Sequence, residues 1–162
     1  MAAVPTHALE AVPVAADHPE LLGLLAEVVV ELAARYGDDD ASTLHAPSPG
    51  TRWVLVHDDD GRAIACGGLQ PLSWTVPDAD AATGEVKRVY VVPGARGRGV
   101  SRTVMTALVA IAREEGFRTL WLETGTEQPE ALALYRRSGW RDIPPYGQYV
   151  DDPRTRCFAL DL

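Results

Sequence analysis

Apolar residues recur at helical spacing from Leu21 through Leu24, Leu25 and Val28 to Leu32. That period predicts a helix opened by Pro19 and Glu20 and stopped by Gly37. Ahead of it, Ala8 to Ala16 alternates loosely and predicts a first strand. Asp38 to Gly50 is polar and holds Pro47 and Pro49, which reads as a loop or one short helix. Trp53 to His57 and Ile64 to Leu72 are strand-like runs joined by an Asp60-Gly61 hairpin signal. Pro77 to Gly84, rich in Ala and Asp, reads as a turn region, and Glu85 to Val92 as the next strand. Val100, Val104, Ala107, Leu108 and Ile111 form one stripe of a second helix, closed by Gly116. Thr119 to Thr124 alternates, with Leu120 and Leu122 on one face and Trp121 and Glu123 on the other. Pro129 opens a third helix over Ala131 to Ser138, and Gly139 ends it. Trp140 to Ile143 starts a strand, Pro144 to Pro153 is an aromatic, proline-containing loop, and Arg156 to Leu160 is a last strand. This order predicts one α/β (α+β) domain over residues 1–162, a mixed sheet flanked by helices.

Between the strand ending at Val92 and the second helix lies Pro93-Gly-Ala-Arg-Gly-Arg-Gly-Val-Ser-Arg102. A basic, glycine-rich turn placed there gathers free backbone N–H groups and the positive end of a helix dipole, which suits a phosphate. Gly97 and Gly99 let the backbone approach an anion closely, and Arg96, Arg98 and Arg102 can add positive charge. A Walker loop is excluded, because no Gly-Lys-Ser/Thr tripeptide occurs. A dinucleotide fingerprint fails too, because Arg102 stands where its third glycine belongs.

Composition narrows the classes further. The net charge of −8 argues against nucleic-acid binding, which wants a basic surface. The acidic runs Asp38–Asp40, Asp58–Asp60 and Asp151-Asp152 read as solvated loops, while basic residues concentrate from Lys87 to Arg118. No apolar run approaches a membrane span, and the N-terminus has no basic stretch followed by an apolar core. Cys66 and Cys157 lack metal-ligand spacing and sit in apolar strands, so they read as buried free thiols. Together these give the expectation of a cytoplasmic protein without a metal.

What remains of the turn, Arg96-x-x-Gly99-x-Ser101, resembles the acyl-CoA pyrophosphate loop of the GNAT superfamily of N-acetyltransferases, whose pattern is Arg/Gln-x-x-Gly-x-Gly/Ala. Ser101 departs from the last position but is small. Ala131-Leu-Ala-Leu-Tyr135-Arg-Arg-Ser-Gly139-Trp140 is similar to the family's Ala-x-x-Leu-Tyr-x-x-x-Gly-Phe segment, and Glu85 to Val91 to its fourth strand. Gln128 stands where many members have Asn. The resemblance implies acetyl-CoA as co-substrate, lying in a V between two parallel strands that splay apart, here Glu85–Val92 and Thr119–Thr124. Val89, Tyr90 and Val91 would meet the pantetheine arm through backbone, with Gln128 beside it. Gly97, Arg98, Gly99, Val100, Ser101 and Arg102, with Arg96, would hold the pyrophosphate.

The resemblance also implies direct transfer to an amine, with Tyr135 as the acid that protonates the departing thiolate. A phenol's pKa of about 10 is near enough to a thiol's ~8.5 for that task. Glu85 is the expected base, working through a water, and Glu123 on the adjacent strand competes with it. Either carboxylate could instead make a salt bridge with Lys87 or Arg118. Tyr146 and Tyr149, flanked by prolines and Gly147, read as a stiff lip over the acceptor, with Trp74 in the same pocket. Trp53, Trp121 and Trp140 read as core, and His45 and His57 as surface. The leading acceptor is a primary amine of a small molecule. Alternatives are a protein N-terminus or lysine, or a non-catalytic acyl-CoA sensor, against which the pairing of Glu85 with Tyr135 counts. A homodimer stays open.

Overall fold

The computed structural model describes residues 8–37 and 48–162. The acidic run Asp38–Asp40 and His45 lie outside them. The elements run β1 Ala11–Val14, α1 Pro19–Tyr36, β2 Arg52–His57, β3 Ala63–Pro71, β4 Thr83–Val91, α2 Val100–Glu114, β5 Thr119–Gly125, α3 Pro129–Arg137, β6 Arg141–Ile143 and β7 Thr155–Asp161. A 3₁₀ turn, Leu72–Trp74, follows β3, and another, Pro93–Ala95, follows β4.

Seven strands form one sheet in the order β1-β2-β3-β4-β5-β7-β6. Every neighbouring pair is antiparallel except β4 and β5, which are parallel. Helix α1 begins where the sequence places it: the His18 imidazole accepts from the Glu20 N–H, Pro19 fills the first turn, and Gly37 at φ 68° closes it. It covers one face of the sheet, burying Leu21, Leu24 and Val28 against Trp53, Leu55 and Cys66. Helix α2 covers the other face through Val100, Val104, Leu108 and Ile111, the expected stripe. Each such side chain contributes roughly 1.5–3 kcal/mol by leaving water. Cys66 and Cys157 are buried free thiols, pushed up by desolvation to about 12 and about 11.

Two boundaries differ from the sequence reading. Strand β1 is shorter than Ala8–Ala16, because the chain turns at Ala15, whose carbonyl accepts from the His18 N–H. Strand β4 starts at Thr83, so Gly84 belongs to the strand and not to the turn before it. Its lack of a side chain is a packing requirement: a Cβ there would lie 2.9 Å from Leu120, 3.1 Å from Leu69 and 3.1 Å from Phe117. Gly84→Val should therefore overpack this layer and cost about 1–3 kcal/mol. Urea denaturation should show a lowered midpoint with an unchanged slope.

Candidate active site

Strands β4 and β5 pair only from Thr83 to Val86 and from Thr119 to Leu122. Beyond that they part. The cause lies on the opposite edge of β4. Lys87 pairs with Gly68 and Tyr90 with Cys66, so Arg88 and Val89 together face the single residue Gly67. This is a β-bulge, and Arg88 sits in it at φ 55°, a left-handed conformation that a side chain disfavours by roughly 1–2 kcal/mol. The bulge bends β4 away from β5 and leaves facing strand edges without ladder partners.

A cavity of about 870 Å³ runs through this opening. On one side α1 supplies Leu25, Val28 and Tyr36; on the other α3 supplies Ala131 and Tyr135. The strands contribute Glu85, Lys87, Arg88, Val89, Glu123 and Thr124 between them. Next to the end of β4, Gly97 and Gly99 both adopt φ 77°, and Gly99 caps α2 with no side chain bonded to its first turn. The first N–H groups of an α-helix have no intrahelical partner, so the start of α2 offers a cluster of donors beside the V. Arg98 and Arg102 are exposed around it.

Arg96 is placed differently from the sequence expectation. Its Nε donates to the Val91 carbonyl at 2.9 Å, and its outer nitrogen pairs with Glu31 of α1 at 2.6 Å. The guanidinium also lies 5.7 Å from the centre of the Tyr90 ring. It ties the loop to α1. The Tyr90 ring faces α1, whereas Val89 and Val91 pack on the α2 side. Gln128 lines the cavity, with its amide donating to the Tyr36 hydroxyl at 3.1 Å.

The two carboxylates have separate environments. Glu85 is 1% exposed and its oxygens are occupied. One accepts from Gln70 at 3.1 Å and from the Thr75 hydroxyl at 2.5 Å; the other accepts from the Tyr146 hydroxyl at 3.2 Å and lies 3.5 Å from Lys87 Nζ. These four partners fix the orientation of Glu85 in the wall of the cavity. Glu123 points into the cavity and is half-buried. Desolvation pushes its carboxyl up to about 7, the nearby Glu85 charge adds to the rise, and Lys87 opposes it.

Tyr135 is buried, with its ring 5.7 Å from Trp140 and 5.6 Å from Phe158 while it lines the α3 side of the cavity. Burial raises its phenol pKa. Tyr146 is no lip. It is 8% exposed, its ring lies 5.1 Å from Trp121, and it holds Glu85 from below. The loop is apolar enough at Tyr146 and Ile143 to fold inward on Leu72 and Cys157. Tyr149 and Trp74 do border the cavity, both largely exposed. Trp53 is core as expected but also reaches the cavity wall. His57 bonds Glu20 and lies outside the lining. Sequence reasoning missed Gln70, Thr75 and Arg88; the only trace of Arg88 is the three-residue step from Val86 to Val89, which breaks the period of two.

This architecture, with a parallel pair forced apart beside a glycine-capped helix, defines the class. The chain belongs to the acetyltransferase (GNAT) family, whose model matches residues 21–140. It is 37% identical over 99 residues to the IAA acetyltransferase of Azospirillum brasilense, an alignment covering 61% of each chain. It is 30% identical over 132 residues to the uncharacterised N-acetyltransferase YjgM of Escherichia coli K12, covering 74% of this chain and 75% of that one. A Klebsiella pneumoniae structure assigned as an acyl-CoA N-acyltransferase superposes with a TM-score of 0.76 at 27% identity, covering 95% of this chain and 97% of the other. Among the described residues no cluster of three or more His, Cys, Asp or Glu is placed to hold a metal, and no helix is long and apolar enough to cross a membrane.

Proposed function

We propose that this chain moves an acetyl group from acetyl-CoA to a primary amine of a small molecule by direct transfer. The observation that carries the reading is Glu123: a carboxyl with its pKa pushed to about 7, standing where β4 and β5 part. An amine nucleophile must lose a proton, and a base works best when its pKa lies near the working pH. Glu123 meets that condition, and Glu85 acts as its buried neighbour, raising it.

The remaining parts follow from position. The free edge of β4 at Val89–Val91 accepts the pantetheine amides as an added pseudo-strand. Backbone N–H groups there polarise the thioester carbonyl as negative charge builds on its oxygen. The residues 97–102 take the pyrophosphate. The amine nitrogen attacks the carbonyl carbon and its proton passes to Glu123. The carbon–sulfur bond then breaks, and Tyr135 protonates the leaving thiolate. The buried free thiols and the need for acetyl-CoA favour a cytoplasmic setting.

The test is direct. Incubation with acetyl-CoA and a pooled panel of small amines should release free thiol and give products heavier by one acetyl group; a panel that yields neither contradicts the reading. Tyr135→Phe should preserve acetyl-CoA affinity while lowering turnover by roughly 10²-fold, the low end for a lost general acid. Steady-state kinetics on an accepted amine checks this, and unchanged turnover with chemistry rate-limiting removes Tyr135 from the role.

A further inference from the structure

Four of the charged side chains lining the cavity are paired with one another. Lys87 lies against Glu85, and Arg154 is bonded through two nitrogens to Asp152 and through a third to the Tyr36 carbonyl. Among the described residues two are not, the carboxyl of Glu123 already assigned to the proton transfer and the guanidinium of Arg88. Arg88 is half-buried and lines the cavity, and no carboxylate of the described residues pairs with it. Burial lowers its pKa, the sign of a cation held partly out of water without an opposing charge. It is also the one non-glycine residue among those described that is held at positive φ. A strained, unpaired, half-buried arginine is costly on two counts, and strain of this kind collects at ligand-binding positions.

Trp53 Nε1 is buried without a hydrogen-bond partner, and Trp53 lines the cavity. Helix α1 adds apolar side chains to the lining, Leu22, Leu25 and Val28, and Trp74 stands at the rim.

We infer that the acceptor is an amino-carboxylate with an apolar body, its carboxylate seated on Arg88 and its amine directed to Glu123. The inference rests on the acetyl-transfer reading and names the substrate class for that same site. A guanidinium fork matches a carboxylate, and such charge-assisted bonds are the strong ones. The bulge that opens the V for the donor thereby also sets the acceptor's orientation. Arg88 selects; it takes no part in the proton transfers.

The experiment compares L-tryptophan, L-phenylalanine and L-methionine with their amides and their decarboxylated amines, by thiol release with acetyl-CoA. For the parent protein, kcat/KM should favour the acid over its amide by about 10- to 100-fold in at least one set. Arg88→Gln should erase that preference mainly through the acid's KM, leave the amide's KM and the KM for acetyl-CoA unchanged, and Arg88→Lys should restore part of it. Acids and amides used alike by the parent overturn the inference. So does an Arg88→Gln variant that slows every acceptor equally or raises the KM for acetyl-CoA. If no amine is acetylated, calorimetry with the same acids and amides in the presence of CoA separates the two readings. Binding of an acid that Arg88→Gln abolishes keeps the anion site and removes the transfer; no such binding removes both.

Discussion

Replacing Glu123 by Gln lowers kcat/KM for amine acetylation by about 10²- to 10⁴-fold near neutral pH, the span expected for a lost general base. The pH profile carries the stronger signature. In the parent, two groups must be unprotonated, Glu123 at about 7 and the free amine near 10. The logarithm of kcat/KM should rise with slope two below pH 7 and slope one above it. The variant should show slope one throughout, so its deficit should be constant above pH 7 and shrink as pH falls below 7, where the parent's Glu123 is itself protonated. Glu85→Gln should keep the break in slope but move it down, because it removes a charge that raises Glu123. Stability provides an independent check. The carboxyl is raised in the folded state from 4.5 to about 7, so its contribution is fully present below pH 4.5 and is lost as pH rises through 7. Glu123→Gln should therefore be more stable than the parent at pH 8, by up to roughly 3 kcal/mol, and show no such gain at pH 4. A parent and variant with identical pH dependence in both rate and stability would remove Glu123 from the mechanism.

Gly99→Pro should weaken acetyl-CoA binding by at least about 10²-fold. Gly99 holds φ 77° as the cap of α2, and proline is fixed near −65°, so the turn cannot keep its shape. The change also alters the route by which the first N–H groups of α2 reach an anion. The far side of the sheet does not depend on this turn, and circular dichroism should report retained strand and helix. Gly99→Ala, which keeps the N–H but opposes the left-handed conformation, should weaken binding in the same direction by about tenfold, in line with the 1–2 kcal/mol that a side chain costs there. Calorimetry with CoA on both variants measures this; parent-like affinity in a folded Gly99→Pro protein would move the pyrophosphate site elsewhere.

Much of the frame was legible because its signals are local. The stripes of α1 and α2, the helix-ending Gly37, the glycine-rich loop and the Tyr135 segment each lie within a few turns of chain. What the sequence left open depends on distant residues meeting. Glu85 and Glu123 look alike as letters on adjacent strands. Only the fold brings Gln70, Thr75 and Tyr146 onto the first and leaves the second desolvated. Tyr146 looked like a surface lip because prolines flank it, yet its hydroxyl finds a buried acceptor in Glu85 and its ring a partner in Trp121. The pairing of Arg96 with Glu31, 65 residues earlier, has no trace in the motif that holds Arg96. The bulge at Arg88 left one mark, a broken alternation between Val86 and Val89, too slight to place a side chain.

The central claim is that the gap between β4 and β5 receives the acyl donor. Amide hydrogen exchange with and without saturating acetyl-CoA tests it most directly. The account predicts slowed exchange concentrated in residues 89–91 and 97–102, with little change in β1, β6 and the body of α2. Slowed exchange that misses both segments, or none at all with binding shown independently, would contradict it.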